Sequence, residues 1–324
     1  MVRSARVQPL AGLLVVDLSR YVPGAYAARE LRRLGARVVR IEAPDGDPLR
    51  ATAPAWHAAL AGGMESVVCD LRADPVLAQE LCARADVVLE GFRPEVAARL
   101  RVGPEDVPET VVYCSITGFG NDNPHASRAA HDLNYLGWAG ALEDTAPGLP
   151  PMQIADLAAG ALGAVTLVLA ALLERERTGR GARIVISMTH RAHDLVEHRL
   201  GGDPRPRLLT GGLACYRIYA CADQRLLTLA ALEPKFFRRF CELAGSLDWV
   251  KRQYAEDQEA LAAEIAAAVA GRTLAAWLDL CEGEDVCVGP VWTREEAAAE
   301  FGSQPAGPVA TLGEHSEVWR GLLA

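Results

Sequence analysis

The sequence predicts an α/β protein: a large domain built on a parallel sheet with helices on both faces, followed by a smaller α+β lobe. Three observations carry this. Short β-branched runs alternate with helical patterns along the first 190 residues. Those runs are apolar almost continuously, as in strands buried on both faces. Beyond them, a Gly/Pro/Arg-rich stretch at 199–213, "RLGGDPRPRLLTGGL", interrupts the pattern and reads as a linker.

The elements follow in order. "LLVVDLS" (13–19) is a strand and "AYAARELRRLGA" (25–36) a helix closing on Gly35. "RVVRIE" (37–42) is the next strand. "PVLAQELCARA" (75–85) is a helix, "DVVLEGF" (86–92) a strand, and "EVAARLRV" a short helix. "TVVYCSITGFG" (110–120) is a strand running into a Gly-rich loop. A long helix is expected over about 153–178, and "ARIVISM" (182–188) is a further strand. After the linker, "ACYRIYACADQRLLTLAAL" reads as a hairpin-like pair of strands. Helical patterns follow near 234–246, 254–270 and 273–282, then a strand at 286–292 and a helix opened by a capping-box-like Thr293…Glu296. The expected domains are therefore 1–198 with 284–324, and 214–283.

Composition bounds the function. Half of the 324 residues are hydrophobic and 23% are charged, as in globular proteins. The formal charge is −9, and no dense basic stripe appears, so nucleic acid is not an expected partner. Eight scattered cysteines without a C-x-x-C pair read as reduced thiols of a cytoplasmic protein. The N-terminus lacks the apolar segment of a secretory signal. The longest apolar run, 157–173, is short and rich in Ala and Gly. It reads as a core helix, and no membrane association is expected. No G-x-G-x-x-G follows the first strand, and no G-x-S-x-G elbow or zinc motif is present.

Candidates for chemistry are few. His131 and Asp132 stand side by side in "RAAHDLNYLGWAGAL", an otherwise apolar, small-residue run. Two ionisable groups there cost free energy unless satisfied. They fit an acid/base centre, and equally a helix start with Asp on the dipole. Asp156, near the start of the long apolar helix, and Glu233, before Pro234, also admit structural readings. His190, His193 and His198 could share a helix face, but the run reads as a solvated helix and no metal is expected.

Many segments, in order, resemble the family III coenzyme A transferase/α-methylacyl-CoA racemase family (CaiB/BaiF type). They include "LAGLLVVDLSR", "RVVRIEAPDGDPLR", "ADVVLEGFRPEVAARLRVGPEDV", "VVYCSITGFG", "AAHDLNYLGWAGAL", "IADLAAGAL", "CVGPVWTREEAA" and "LGEHSEV". The resemblance implies a Rossmann-like large domain that binds CoA and an interlocked homodimer. It implies a thioester substrate with no prosthetic group, CoA being part of the substrate. "HDLNYL" and "ALEPKFF" resemble the racemase branch, in which residues matching His131 and Asp156 are the acid/base pair and the one matching Glu233 supports the His across the dimer. In the transferase branch the residue matching Asp132 is the nucleophile. Arg40 and Arg93 match basic positions that contact the nucleotide.

The racemase reading suits the residue types. Inverting an α-carbon next to a thioester needs a base on one face and an acid on the other. Backbone N–H groups near Asp156 are expected to hold the enolate oxygen.

Three departures stand out. Ala130 replaces a usual Gly, Val22-Pro23-Gly24 replaces Ala-Gly-Pro, and 61–65 read "AGGME" where the family carries a basic stretch. The last suggests weak CoA binding or another activated acyl carrier; a non-catalytic homologue is a further alternative.

Overall fold

A computed structural model describes residues 7–302 and 307–323. The chain forms two compact units. The first runs to His198 and takes in 307–323; the second begins at Arg199 and contains the remainder.

The first unit holds a six-stranded sheet of β1 (Leu14–Asp17), β2 (Arg37–Glu42), β3 (Glu65–Val68), β4 (Val87–Glu90), β5 (Val112–Thr117) and β6 (Arg183–Ser187). The order is β3-β2-β1-β4-β5-β6, and every pair is parallel. Strand order therefore reverses between β1 and β4, which is where open α/β sheets place ligands.

Both faces are covered, as the continuous apolar runs require. Val15 and Val16 are each fully buried, yet belong to different cores. The Val15 side packs under the Tyr21–Arg33 helix and the long helical segment after Ala155. The Val16 side packs under the Val76–Arg84 helix and Trp319 of the Ser316–Leu323 helix.

No Gly-rich loop follows β1, but one of its roles persists. A Cβ on Gly24 would lie 1.9 Å from Ser19 Oγ, so this glycine lets the first helix sit against the β1 turn. Val22-Pro23-Gly24 keeps that close approach with the proline in the first helical turn, where its missing N–H costs nothing.

The long helix is composite. Ala155–Leu162 is wound as a π-helix, and Gly163–Thr178 continues it as α-helix, ending on left-handed Gly179. The combined segment is long and apolar enough to cross a membrane; here its alanine side faces the core beside β5. A Cβ on Gly160 would meet Met188 at 3.0 Å, so the Met188–Asp194 helix packs directly on the π-helical turn.

The second unit carries the antiparallel sheet β7 (Tyr216–Ala220), β8 (Leu226–Ala230) and β9 (Val288–Pro290), in that order. Its core stacks Phe237, Phe240, Trp249 and Trp277 from the helices behind the sheet.

Two expected boundaries are corrected. The chain does not return to the large domain at 284, because β9 pairs with β8 and satisfies backbone groups that would otherwise form an open edge. The stretch 199–213 is not a free linker. Leu208 and Leu213 pack into the second core, and Arg205 stacks on Tyr254 and donates to its carbonyl at 2.9 Å.

Candidate active site

Three strands of the large sheet end on acids: Asp17 on β1, Glu42 on β2 and Glu90 on β4. Two of these are neutralised from within. Arg40 is 3% exposed and donates to Asp17 at 3.1 Å and to Asp47 at 2.8 Å. Arg50 forks onto both Glu42 oxygens at 2.7 Å, and Ser66 Oγ donates to the same carboxylate. The Glu42 carboxyl is buried, but these donors more than offset burial and hold it down at about 2. Arg40 is therefore held by buried partners, and its expected role as a nucleotide contact stays an expectation.

A cavity of about 1160 Å³ opens beyond the carboxyl ends of β1 to β4. Ile41, Leu71, Phe92, Val96 and Leu100 give it apolar walls. Arg20, Arg72, Arg99 and Arg101 also line it, all exposed, and none makes a side-chain hydrogen bond or ion pair among the described residues. Sequence reading missed all four. Their signal was weak: Arg20 and Arg72 follow strands and Arg99 and Arg101 close a short helix, with no shared motif. Arg93 lines a neighbouring cavity of about 180 Å³, with Phe92 the wall between the two.

Residues 61–65 do not border the large cavity. Gly63 N–H donates to Pro308 O at 2.8 Å, and Met64 is buried. Glu65 takes Arg37 at 2.6 Å and the Trp319 indole at 2.7 Å. Ala61, Met64 and Glu65 border a void of about 10 Å³, near the minimum for one water. The segment's lack of basic residues thus takes nothing from the large cavity.

The His131–Asp132 pair lies at the start of the Asp132–Trp138 helix. His131 is the N-cap, with extended backbone, and its N–H donates to the Asn134 side chain at 3.1 Å. Tyr135 reaches back and donates to Ala130 O at 2.9 Å, which fixes the loop before the pair. His131 is exposed, and its ring has no hydrogen-bond partner among the described residues.

Asp132 points the other way. Its Oδ1 accepts the backbone N–H of Asp156 at 2.9 Å, and the N–H of Ala155 also bonds to this carboxyl. Asp132 thus satisfies the first donors of the Ala155–Leu162 segment, groups a helix start otherwise leaves unpaired. The expectation that these N–H groups hold an enolate oxygen is corrected, since Asp132 already occupies them. The Asp156 side chain is left partly buried beside a carboxylate. Burial, then the negative charge of Asp132, raise its pKa to about 7. Burial raises Asp132 as well, against those two backbone donors.

An aromatic platform stands at the far end of the same helix. Trp138 is half exposed, with the His125 ring 4.4 Å and the Phe119 ring 6.0 Å from it, and Arg128 over its face.

The structure thus brings His131, Asp132 and Asp156 into one place in the first unit. Glu233 belongs to the second unit, where it is the exposed N-cap before Pro234. Two of the other histidines are locally used: His190 Nδ1 is 2.6 Å from Ser187 Oγ, and His193 Nδ1 is 3.0 Å from Ala139 O. Among the described residues no group of His, Cys, Asp and Glu could hold a metal, and all eight cysteines are free.

Comparison with known proteins adds the following. The model of CoA-transferase family III matches residues 10–318. Human alpha-methylacyl-CoA racemase is 31% identical, over 94% of this chain and 83% of that protein. A probable fatty acyl-CoA transferase of Mycobacterium tuberculosis, Rv3272, is 30% identical over 91% of this chain and 86% of its own. The crystal structure of Rv3272 superposes with a TM-score of 0.83, covering 97% of this chain and all of that one at 27% identity. A CAIB/BAIF family protein from Brucella suis superposes equally well, at 25% identity.

Proposed function

The chain belongs to CoA-transferase family III, and from that premise we propose that it is a racemase or epimerase of 2-methylacyl-CoA-like thioesters. One observation carries the choice within the family. Asp132 is spent as the cap of the Asp156 segment, while Asp156 is poised near neutrality. A carboxyl that titrates at about 7 can both take and return a proton at physiological pH, as general acid/base catalysis demands. A carboxylate already accepting backbone N–H groups is a poorer nucleophile.

In this reading His131 and Asp156 face opposite sides of the substrate α-carbon. One removes the α-proton, the electron pair moves into the thioester carbonyl as an enolate, and the other delivers a proton to the opposite face. Glu233, supplied by the second unit of a partner chain in a homodimer, assists His131. The arginine-lined cavity takes the nucleotide of CoA, and the face of Trp138 takes apolar acyl surface. The reduced thiols fit a cytoplasmic enzyme.

The test is incubation with 2-methylacyl-CoA in deuterated water. Deuterium entering the α-position without an acceptor acid supports the reading. Relatives named as CoA-transferases give the competing one. Transfer to an acceptor, with a hydroxylamine-sensitive adduct on Asp132, would establish that instead. A chain that neither exchanges nor transfers would be a binding homologue.

A further inference from the structure

The short helix Val96–Arg99 ends in a Schellman turn. Val102 N–H bonds to Ala97 O at 3.1 Å and Arg101 N–H to Ala98 O at 3.0 Å. The residue between must turn left-handed, the position glycine fills without strain. Here it is Arg101, with φ 56°. A residue of this kind persists where the surrounding structure enforces it, and such residues cluster at ligand-binding sites.

Arg207 offers a comparison within the same chain. It too has a positive φ, but its guanidinium donates to Thr210 O at 2.8 Å, a local bond to offset the strain. Arg101 has no side-chain partner among the described residues. It lines the large cavity together with Arg20, Arg72 and Arg99. The acids of that wall are partly committed: Glu42 to Arg50 and Ser66, and Asp70 to the N–H groups of Arg72 and Ala73. Asp45 and Asp70, neither of them ion-paired among the described residues, are left to face four guanidinium groups.

We propose that Arg101 is a specificity residue for the phosphorylated end of the substrate: its guanidinium contacts a phosphate of the CoA nucleotide and gives the thioester handle its affinity. The proposal rests on the reading that this chain binds an acyl-CoA. It adds which side chain of the cavity meets the phosphate, residues 61–65 lying outside that cavity. A guanidinium fork suits a phosphate, and the apolar walls suit the rest of the handle.

The experiment is isothermal titration of CoA, and of pantetheine as a probe without phosphate, into the wild type, Arg101→Gly and Arg101→Lys at two salt concentrations. Glycine removes both the charge and the backbone strain. The expected Arg101→Gly protein therefore melts no lower than the wild type, yet binds CoA about tenfold more weakly and with a shallower salt dependence. Its pantetheine binding is unchanged, and Arg101→Lys recovers part of the CoA affinity. Arg101→Gly binding CoA within about twofold of the wild type overturns the proposal. So does an equal loss for pantetheine. A wild type that binds no CoA overturns the reading of the site itself, and Arg101's role with it.

Discussion

Asp132 Oδ1 accepts the backbone N–H of Asp156 at 2.9 Å, joining two acids that are 24 residues apart in the chain. The bond fixes where the second carboxyl stands, and the charge that makes the bond helps keep that carboxyl protonated. Position and proton affinity of Asp156 thus both depend on Asp132.

Asp132→Asn separates these effects. The amide oxygen still accepts the N–H, but the negative charge is gone. Burial, the larger cause, keeps the Asp156 pKa above the carboxylate norm, while loss of the Asp132 charge lowers it from about 7. The acid limb of kcat/KM for α-proton exchange should therefore move about one unit to lower pH, with activity retained. Asp132→Ala removes the cap itself, and should cost about 1 kcal/mol of stability in denaturant titration. Complete loss of turnover in Asp132→Asn, with an unaltered fold, would instead point to a nucleophile.

Asp156→Asn removes the proton carrier. Exchange should fall by about 10² to 10⁴. Stability should change with pH in a definite sense. The folded-state pKa of Asp156 lies above its unfolded value, so the folded protein retains a proton that the unfolded chain releases. Its favourable contribution is complete below the unfolded carboxylate pKa and is lost as pH rises towards about 7. The Asn variant should gain Tm relative to the wild type on going from pH 5 to pH 8, which parallel melting curves would show.

Much of the large sheet was legible because strands buried on both faces write themselves as near-continuous apolar runs, as in 13–16 and 111–114. What escaped notice lacks such a local signal. β3 is only Glu65–Val68, and its surroundings are set by residues from the far end of the chain: His315 N–H donates to Ser66 O at 3.0 Å, and Ser316 Oγ accepts from Val68 N–H at 3.0 Å. β9 reads as a strand, but nothing in "VCVGPVW" names its partner. Resemblance singled out His131, Asp132 and Asp156, but not that Asp132 bonds to the backbone at Asp156, a contact spanning 24 residues. For Arg40, "VVRIE" shows the cation and not Asp17 and Asp47, which close on it in three dimensions.

Arg40 and Arg72 should behave as opposites. Arg40→Met leaves the buried carboxylates of Asp17 and Asp47 without their cation, and should cost about 3–5 kcal/mol in urea unfolding. Arg72 is exposed on the cavity wall, so Arg72→Ala should leave stability within about 0.5 kcal/mol. It should weaken CoA binding in titration, with a reduced salt dependence. Equal stability loss in both variants would remove the distinction drawn between the buried network and the cavity.

His57 makes the acid side of the stability profile testable. It is 3% exposed on the Pro54–Ala61 helix, and its Nε2 is buried without a hydrogen-bond partner. Burial first, then the charges of Arg50 and Arg40, lower its pKa below the usual histidine value, with Glu42 and Asp47 opposing. The unfolded chain therefore takes up this proton at a higher pH than the folded protein does. By linkage, stability is lost as pH falls below the unfolded histidine value, about 6.5, until the folded group also protonates. His57→Leu offers similar bulk without the orphaned nitrogen, and should flatten the fall in Tm between pH 7 and pH 5. An equally steep fall in that variant would assign the acid sensitivity to another group.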